Sequence, residues 1–452
     1  MFAEPSKEIA TMATQPTRPA KPGARNPLKH LRASDLRGVA QLATQATGGV
    51  ARIAEGVHQS VWSTMGVAGG AAPGRTGGIT GLVYQCVHGV SQVLGAGIDK
   101  LLDRLQPWFE AADRARPDTP EREAVLAALN GVLGDRLVAT GNPLATPMTL
   151  RYQGTVLDLR RVPAIPGATG RALLLVHGLC MNDLQWHVPH DGQAVDHGAV
   201  LAATLGYTPV YLRYNSGLHV SQNGHALAAR LEQLLAHWPV TIEELAVVAH
   251  SMGGLLIRSA VHYARLGGLR WPDHLKSIVF LGTPHHGAPL ERAGNRIDAI
   301  LGSTPYSAPF ARLGQLRSAG ITDLRYGYVL DLDWHGRDRF QRKPDNRQVL
   351  PLPAGVACHT VAATTAARRS ALADRLTGDG LVPLRSALGQ HDDGRRDLAF
   401  AKTSQLIAYR TNHLALLGSP EVTRQLVQWL SPVAGPEAAR RPVRCGVGAA
   451  NS

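Results

Sequence analysis

The sequence predicts an α/β architecture, a mostly parallel sheet covered on both faces by helices. Short apolar runs (ALLLVHG, PVYLRY, LAVVAHS, SIVFLGT, ACHTVAATT) alternate with helix-like stretches such as Asn223–Trp238 and Gly253–Leu266. The runs are nearly continuous in Val, Leu and Ile, as in strands buried on both sides. Hydrophobic residues make up 44% of the 452, enough to bury a large core and to exclude wholesale disorder.

Charge and cysteine usage narrow the function classes. Lys and Arg outnumber Asp and Glu 47 to 34, a formal charge of +13 that permits attraction to nucleic acid or anionic lipid. Pairs such as Arg395-Arg396 and Arg440-Arg441 are scattered, and no basic stripe carries interleaved aromatics, so a nucleic-acid partner is not expected. Cys86, Cys180, Cys358 and Cys445 have neither disulfide-framework nor metal-ligand spacing, so neither a disulfide framework nor a zinc site is expected. The first residues lack the apolar core of a secretory signal, and no segment is apolar enough to span a bilayer. A cytoplasmic setting is the expectation, with membrane association as a further option.

Along the chain, residues 1–34 read as a disordered basic arm. Residues 35–140 read as a helical N-terminal region. Within it Leu36, Val39, Leu42, Ala46, Val50, Ile53, Val57 and Val61 recur at helical spacing. After the break GVAGGAAPGRTGG the period resumes from Ile79 to Leu105, which gives a helical hairpin over 35–106. Its polar faces carry few charges, so it either packs on the main domain or adsorbs to a lipid surface. A third helix starts at Thr119-Pro120, with Thr as cap, Pro in the first position and Glu121 and Glu123 in the first turn. The α/β region covers 148–431, opening on LRYQGTVLDLRRV. It contains an insertion at about 288–346 that is long for a strand-to-helix connection and suits a lid over an acyl pocket. Residues 432–452 return to disorder-like composition.

Chemistry concentrates in LAVVAHSMGGLLIRSA. A strand ends at His250-Ser251 and a helix begins at Gly253, so Ser251 sits on a tight strand-to-helix elbow with its hydroxyl above the sheet. Small residues must flank it because strand and helix approach closely, and Ala249 and Gly253 satisfy that need in the pattern A-x-S-x-G. Acyl transfer needs two backbone N–H donors aimed at a developing oxyanion. The residue after the nucleophile, Met252, supplies one, and Leu179, in the loop after ALLLVHG, is placed for the other. His177 in that loop reads as structural.

VHGL, AHSMGGL and VFLGTPHHGAP, in this order, resemble motifs of the α/β-hydrolase superfamily. The likeness is to its bacterial lipase and esterase branch, triacylglycerol-lipase-like and GPI inositol-deacylase-like, over roughly residues 150–430. The resemblance implies an α/β-hydrolase fold, no cofactor, and the chain order serine, acid, histidine. Asp379 in TGDGLVP resembles the family's acid loop, while Asp374, Asp392 and Asp393 read as solvated charge. His413 in NHLALL resembles the family's base, and His391 in GQHDDG reads as a surface imidazole. The pair His285-His286 reads as turn architecture rather than as metal ligands.

The resulting expectation is a serine hydrolase that cleaves acyl-ester or lipid-like substrates through Ser251, Asp379 and His413. An acyltransferase using the same triad and a non-catalytic scaffold on the same fold are the alternatives.

Overall fold

The structure, a computed structural model, describes residues 34, 35, 37, 38, 41, 120–162, 165–190, 193–288, 317–337, 345–367 and 378–432. Apart from Ser34, Asp35, Arg37, Gly38, Gln41 and Pro432, the expected arm, helical hairpin and C-terminal tail lie outside the described residues.

Helix α1 spans Pro120–Ala139, as its proline and early glutamates predict. The sheet strands are β1 Thr149–Tyr152, β2 Thr155–Val156, β3 Arg171–Val176, β6 Thr208–Arg213, β7 Glu244–His250, β8 Leu275–Leu281, β9 Ala357–Thr364 and β10 Gln405–Tyr409. A separate hairpin joins β4 Val188–His190 to β5 Gln193–Val195. The helices between them are α2 His197–Leu205, α3 Val220–His237, α4 Met252–Leu266, α5 Trp271–His274, α6 Ala319–Asp323, α7 Asp331–Trp334, α8 Leu384–Ala387 and α9 Pro420–Leu430.

The eight strands lie in the order β10-β9-β8-β7-β3-β6-β1-β2, parallel from β10 to β6. β1 is antiparallel to both β6 and β2. LRYQGTVLDLRRV therefore supplies a hairpin rather than one strand. The cause is local: Gln153 and Gly154 take φ values of 47° and 77°, the left-handed pair that a two-residue hairpin turn requires.

Period-two alternation divides the core between the two faces of the sheet. Leu174, Val176, Val247, Ala249, Ile278 and Phe280 pack against α3, α4 and α5 through Leu227, Leu231, Leu256, Ile257 and Trp271. Leu173, Leu175, Ala246, Val248, Val279 and Leu281 face the other way, onto Leu201 of α2 and Val422 and Leu426 of α9. Each such side chain contributes about 1.5–3 kcal/mol when fully buried. A further cluster joins α1 (Ala128, Val132, Leu133) to Leu179, Met252, Leu255, Ile321 and Leu324 above the strand ends.

Caps set the helix limits. Asp196 accepts from the Ala199 amide at the start of α2, and Ser419 accepts from Val422 before Pro420 opens α9. The described part of the insertion rests on α3: Asp323 accepts from the Val220 amide at 2.8 Å, and the Trp334 indole donates to Ser221 at 2.9 Å. Among the described residues, no helix is long and apolar enough to cross a membrane.

Candidate active site

Strands β6 and β7 flank β3 on opposite sides, so the chain order reverses there. The carboxyl ends of parallel strands at such a point form a crevice. The loops after β3, β7, β8, β9 and β10 all open on that side, and between them they carry Leu179, Ser251, Gly282, Asp379 and His413.

Ser251 lies between β7 and α4 with φ 54° and ψ −124°, a conformation that costs a non-glycine residue of order 1–3 kcal/mol. Its amide donates to the Leu281 carbonyl at 2.8 Å, and its own carbonyl accepts from Gly254 at 3.0 Å, which fixes the elbow. Gly253 is required here. A Cβ at that position would stand 2.7 Å from the carbonyl oxygens of both Val176 and His177. Gly178 crosses directly over the serine, since a Cβ on it would lie 2.9 Å from the Ser251 Cβ. The next residue is Leu179, whose amide meets no acceptor among the described residues. Met252 is the first residue of α4, and its amide is one of those that a helix cannot satisfy internally.

His413 and Asp379 are brought together. Nδ1 of the imidazole donates to Oδ2 of the carboxylate at 2.6 Å, and the His413 amide donates to the Asp379 carbonyl at 3.1 Å. The carboxylate's other oxygen accepts from the amides of Leu381 and Val382 at 2.9 and 2.7 Å. Both side chains are buried, at 6% and 0% exposure, so the pair is shielded from bulk water. With Nδ1 donating, Nε2 of His413 is left with a free lone pair. The serine and the imidazole share a neighbour. Leu281 takes the Ser251 amide, and a Cβ on the following Gly282 would stand 3.1 Å from Nδ1 and Cε1 of His413.

His250, which the sequence reading passed over, also supports this arrangement. It is fully buried, its Nε2 donates to the His413 carbonyl at 3.1 Å, and the two rings lie 4.7 Å apart. Burial and the neighbouring imidazole of His413 hold its pKa well below the usual histidine value, so it stays neutral. The only signal for it in the sequence was its place immediately before the serine.

The histidines set aside at the sequence level occupy structural positions. His177 stacks on Tyr214 with ring centres 4.3 Å apart, and burial lowers its pKa to about 4. Its Nδ1 donates to the Gly178 carbonyl at 2.9 Å. His285 and His286 take contacts from Arg258 and Arg347, at 3.4 and 2.8 Å, and so tie the turn after β8 to the segment around Arg347. Nδ1 of His391 accepts from the Asp393 amide at 2.9 Å, and Asp392 pairs with Arg385 at 2.7 Å. Asp374 lies outside the described residues. Among the described residues, no group of three or more His, Cys, Asp or Glu is placed to hold a metal ion.

Residues 167–351 match the model of the family described as PGAP1-like alpha/beta domain. The Bacillus licheniformis lipase BlEst2 in mature form aligns at 19% identity over 63% of this chain and 98% of its own, with a TM-score of 0.38. Staphylococcus hyicus lipase aligns at 12% identity over 59% and 97%, with a TM-score of 0.35. Aspergillus fumigatus lipase B aligns at 14% identity over 86% and 83%, with a TM-score of 0.39. No curated protein matches the sequence. The strand order and the elbow after β7 are those of an α/β-hydrolase fold, and the family match falls within that fold over residues 167–351.

Proposed function

We propose that the protein is a serine hydrolase of carboxylic esters that works through an acyl-enzyme on Ser251. The observation that carries this reading is the buried 2.6 Å contact between His413 and Asp379 beside the strained serine elbow. A serine hydroxyl is a weak nucleophile near neutral pH and needs a base within reach. In this reading Nε2 of His413 takes the Ser251 proton as the oxygen attacks the ester carbonyl, then returns it to the departing alcohol. Asp379 holds the imidazole in the accepting tautomer and stabilises the imidazolium formed midway. The amides of Leu179 and Met252 receive the oxyanion, and water releases the acyl group by the same route in reverse.

The substrate proposed is an uncharged acyl ester of lipid-like character. The apolar side chains of Leu179, Met252, Val220, Leu255, Ile321 and Leu324 cluster beside the serine, and the described part of the insertion contributes two of them. The insertion at about 288–346 is proposed as a lid, and residues 35–106 as a peripheral contact with lipid.

Turnover of a chain-length series of p-nitrophenyl esters, with an amide and a phosphodiester as controls, tests this reading in wild type and in Ser251→Ala. Ester cleavage confined to the wild type is the expected result. Phosphodiester cleavage that survives Ser251→Ala contradicts it.

A further inference from the structure

The loop that carries Leu179 is gripped from outside the sheet. Cys180, the next residue, has φ 59°, and its amide donates to Ser216 Oγ at 3.1 Å. Helix α1 lies against it at Gly131, which puts no side chain of its own between them and leaves room for the Cys180 thiol. A Cβ on Gly131 would stand 2.2 Å from Cys180 Sγ and 3.0 Å from the Cys180 nitrogen and Cα. One turn further along α1, Asn215 Nδ2 donates to the Gly134 carbonyl at 3.0 Å. Ser318 of the insertion also donates to the Gly131 carbonyl, at 2.6 Å. The position of α1 therefore fixes the position of the Cys180 backbone.

The far end of the same loop is held by charge. Asp183 accepts from Arg213 Nε and lies 3.3 Å from Arg151 Nε. Arg213 reaches with Nη1 to Glu123 on α1. Glu123 accepts from Arg122 at 2.6 Å, and Arg122 in turn holds both oxygens of Asp35, at 2.6 and 2.8 Å. Three carboxylates and three guanidiniums alternate in this chain, and the side chains of Asp183, Arg213 and Glu123 are under a tenth exposed. Buried charges tolerate little displacement, because moving one leaves its partner uncompensated.

We infer that α1, which precedes the family-matched residues 167–351, is a brace for the oxyanion loop, with Gly131 and Arg213 as positioning residues for the Leu179 amide. The inference rests on the reading of Leu179 as an oxyanion donor. A donor shifted by a fraction of an ångström stabilises the transition state less while leaving ground-state binding alone, so kcat falls and KM does not.

The test is a double-mutant cycle in the full chain with Gly131→Ala, Cys180→Ala and the pair. Its readouts are kcat and KM on p-nitrophenyl butyrate, and hydrogen exchange at the amides of residues 178–183. Gly131→Ala is expected to lower kcat by roughly 10–100-fold with KM within about twofold, and to speed exchange in the loop. Cys180→Ala removes the sulfur that the new methyl meets, so the pair is expected to recover at least about tenfold in kcat over Gly131→Ala. Unchanged kcat and exchange in Gly131→Ala, or losses that Cys180→Ala does not relieve, overturn the brace. If Gly131→Ala does not fold, Arg213→Lys replaces it. A lysine cannot span Asp183 and Glu123 together, so kcat is expected to fall with KM held, and an unchanged kcat overturns the inference. A wild type without esterase activity defeats the proposed function by itself, and the exchange data then decide the brace alone.

Discussion

His413 and Asp379, 34 residues apart in the chain, meet at 2.6 Å, and the free oxygen of the carboxylate is already committed to the amides of Leu381 and Val382. The two main-chain donors fix which oxygen faces the imidazole. The carboxylate therefore dictates the imidazole's tautomer as well as its orientation.

The substitution Asp379→Asn follows from that commitment. The asparagine oxygen is required by the Leu381 and Val382 amides, so its NH2 faces Nδ1 of His413. Nδ1 then becomes the acceptor, Nε2 carries the proton, and the base is lost. Ester kcat is expected to fall by about 10³–10⁴-fold. Thermal unfolding is expected to stay close to wild type because the turn keeps its hydrogen bonds. A kcat within tenfold of wild type contradicts this account.

Gly253→Ala tests the elbow from its other side. The added methyl meets two main-chain carbonyls at 2.7 Å, and neither belongs to a side chain that can swing away. A destabilisation of about 3 kcal/mol or outright misfolding is expected, read as lost soluble yield or a lower Tm. A variant with wild-type Tm means that β3 and α4 are further apart than described.

The pH dependence of stability has a clear sign at His359. This β9 residue is buried and stacked on Trp429 at 4.7 Å, and neither ring nitrogen has a partner among the described residues. Burial lowers its pKa to about 4 from the ordinary 6.5. Between those values the unfolded chain binds the proton and the folded chain does not. Stability is therefore intact above about pH 6.5 and is lost as pH falls towards 4. His359→Phe removes this loss. Its Tm advantage over wild type is expected to widen by several degrees from pH 7 to pH 4.5, at about 2–4 °C per kcal/mol. A gap that does not change with pH contradicts the assignment.

The sequence made some parts of this molecule readable and hid others for physical reasons. β7 and its elbow are legible because the interior of a strand buried on both faces, residues 245–249, must be apolar, and small residues, Ala249 and Gly253, must flank the turn at Ser251. β10 is absent from the expected strands. Its apolar run is only Leu406-Ile407-Ala408, too short to stand out, and Ala408 alone among its five residues is buried. Asp379 and His413 came from motif resemblance. What fixes them, the Leu381 and Val382 amides and the His250 ring, is visible only once the loops are folded. The contacts of α1 were equally hidden. Gly131 and Gly134 look like weak points of a helix until Cys180 and Asn215 are seen to fill the space they leave. The partners Arg213 and Glu123 are 90 residues apart, and such a pair leaves no local pattern.

The most direct measurement is peptide mapping by mass spectrometry of the full chain after reaction with a fluorophosphonate, in wild type and in His413→Ala. The account predicts one phosphonyl adduct, on Ser251, with labelling slowed by orders of magnitude when the base is removed. An adduct on another residue, or ester turnover that continues with Ser251 unlabelled, would contradict it.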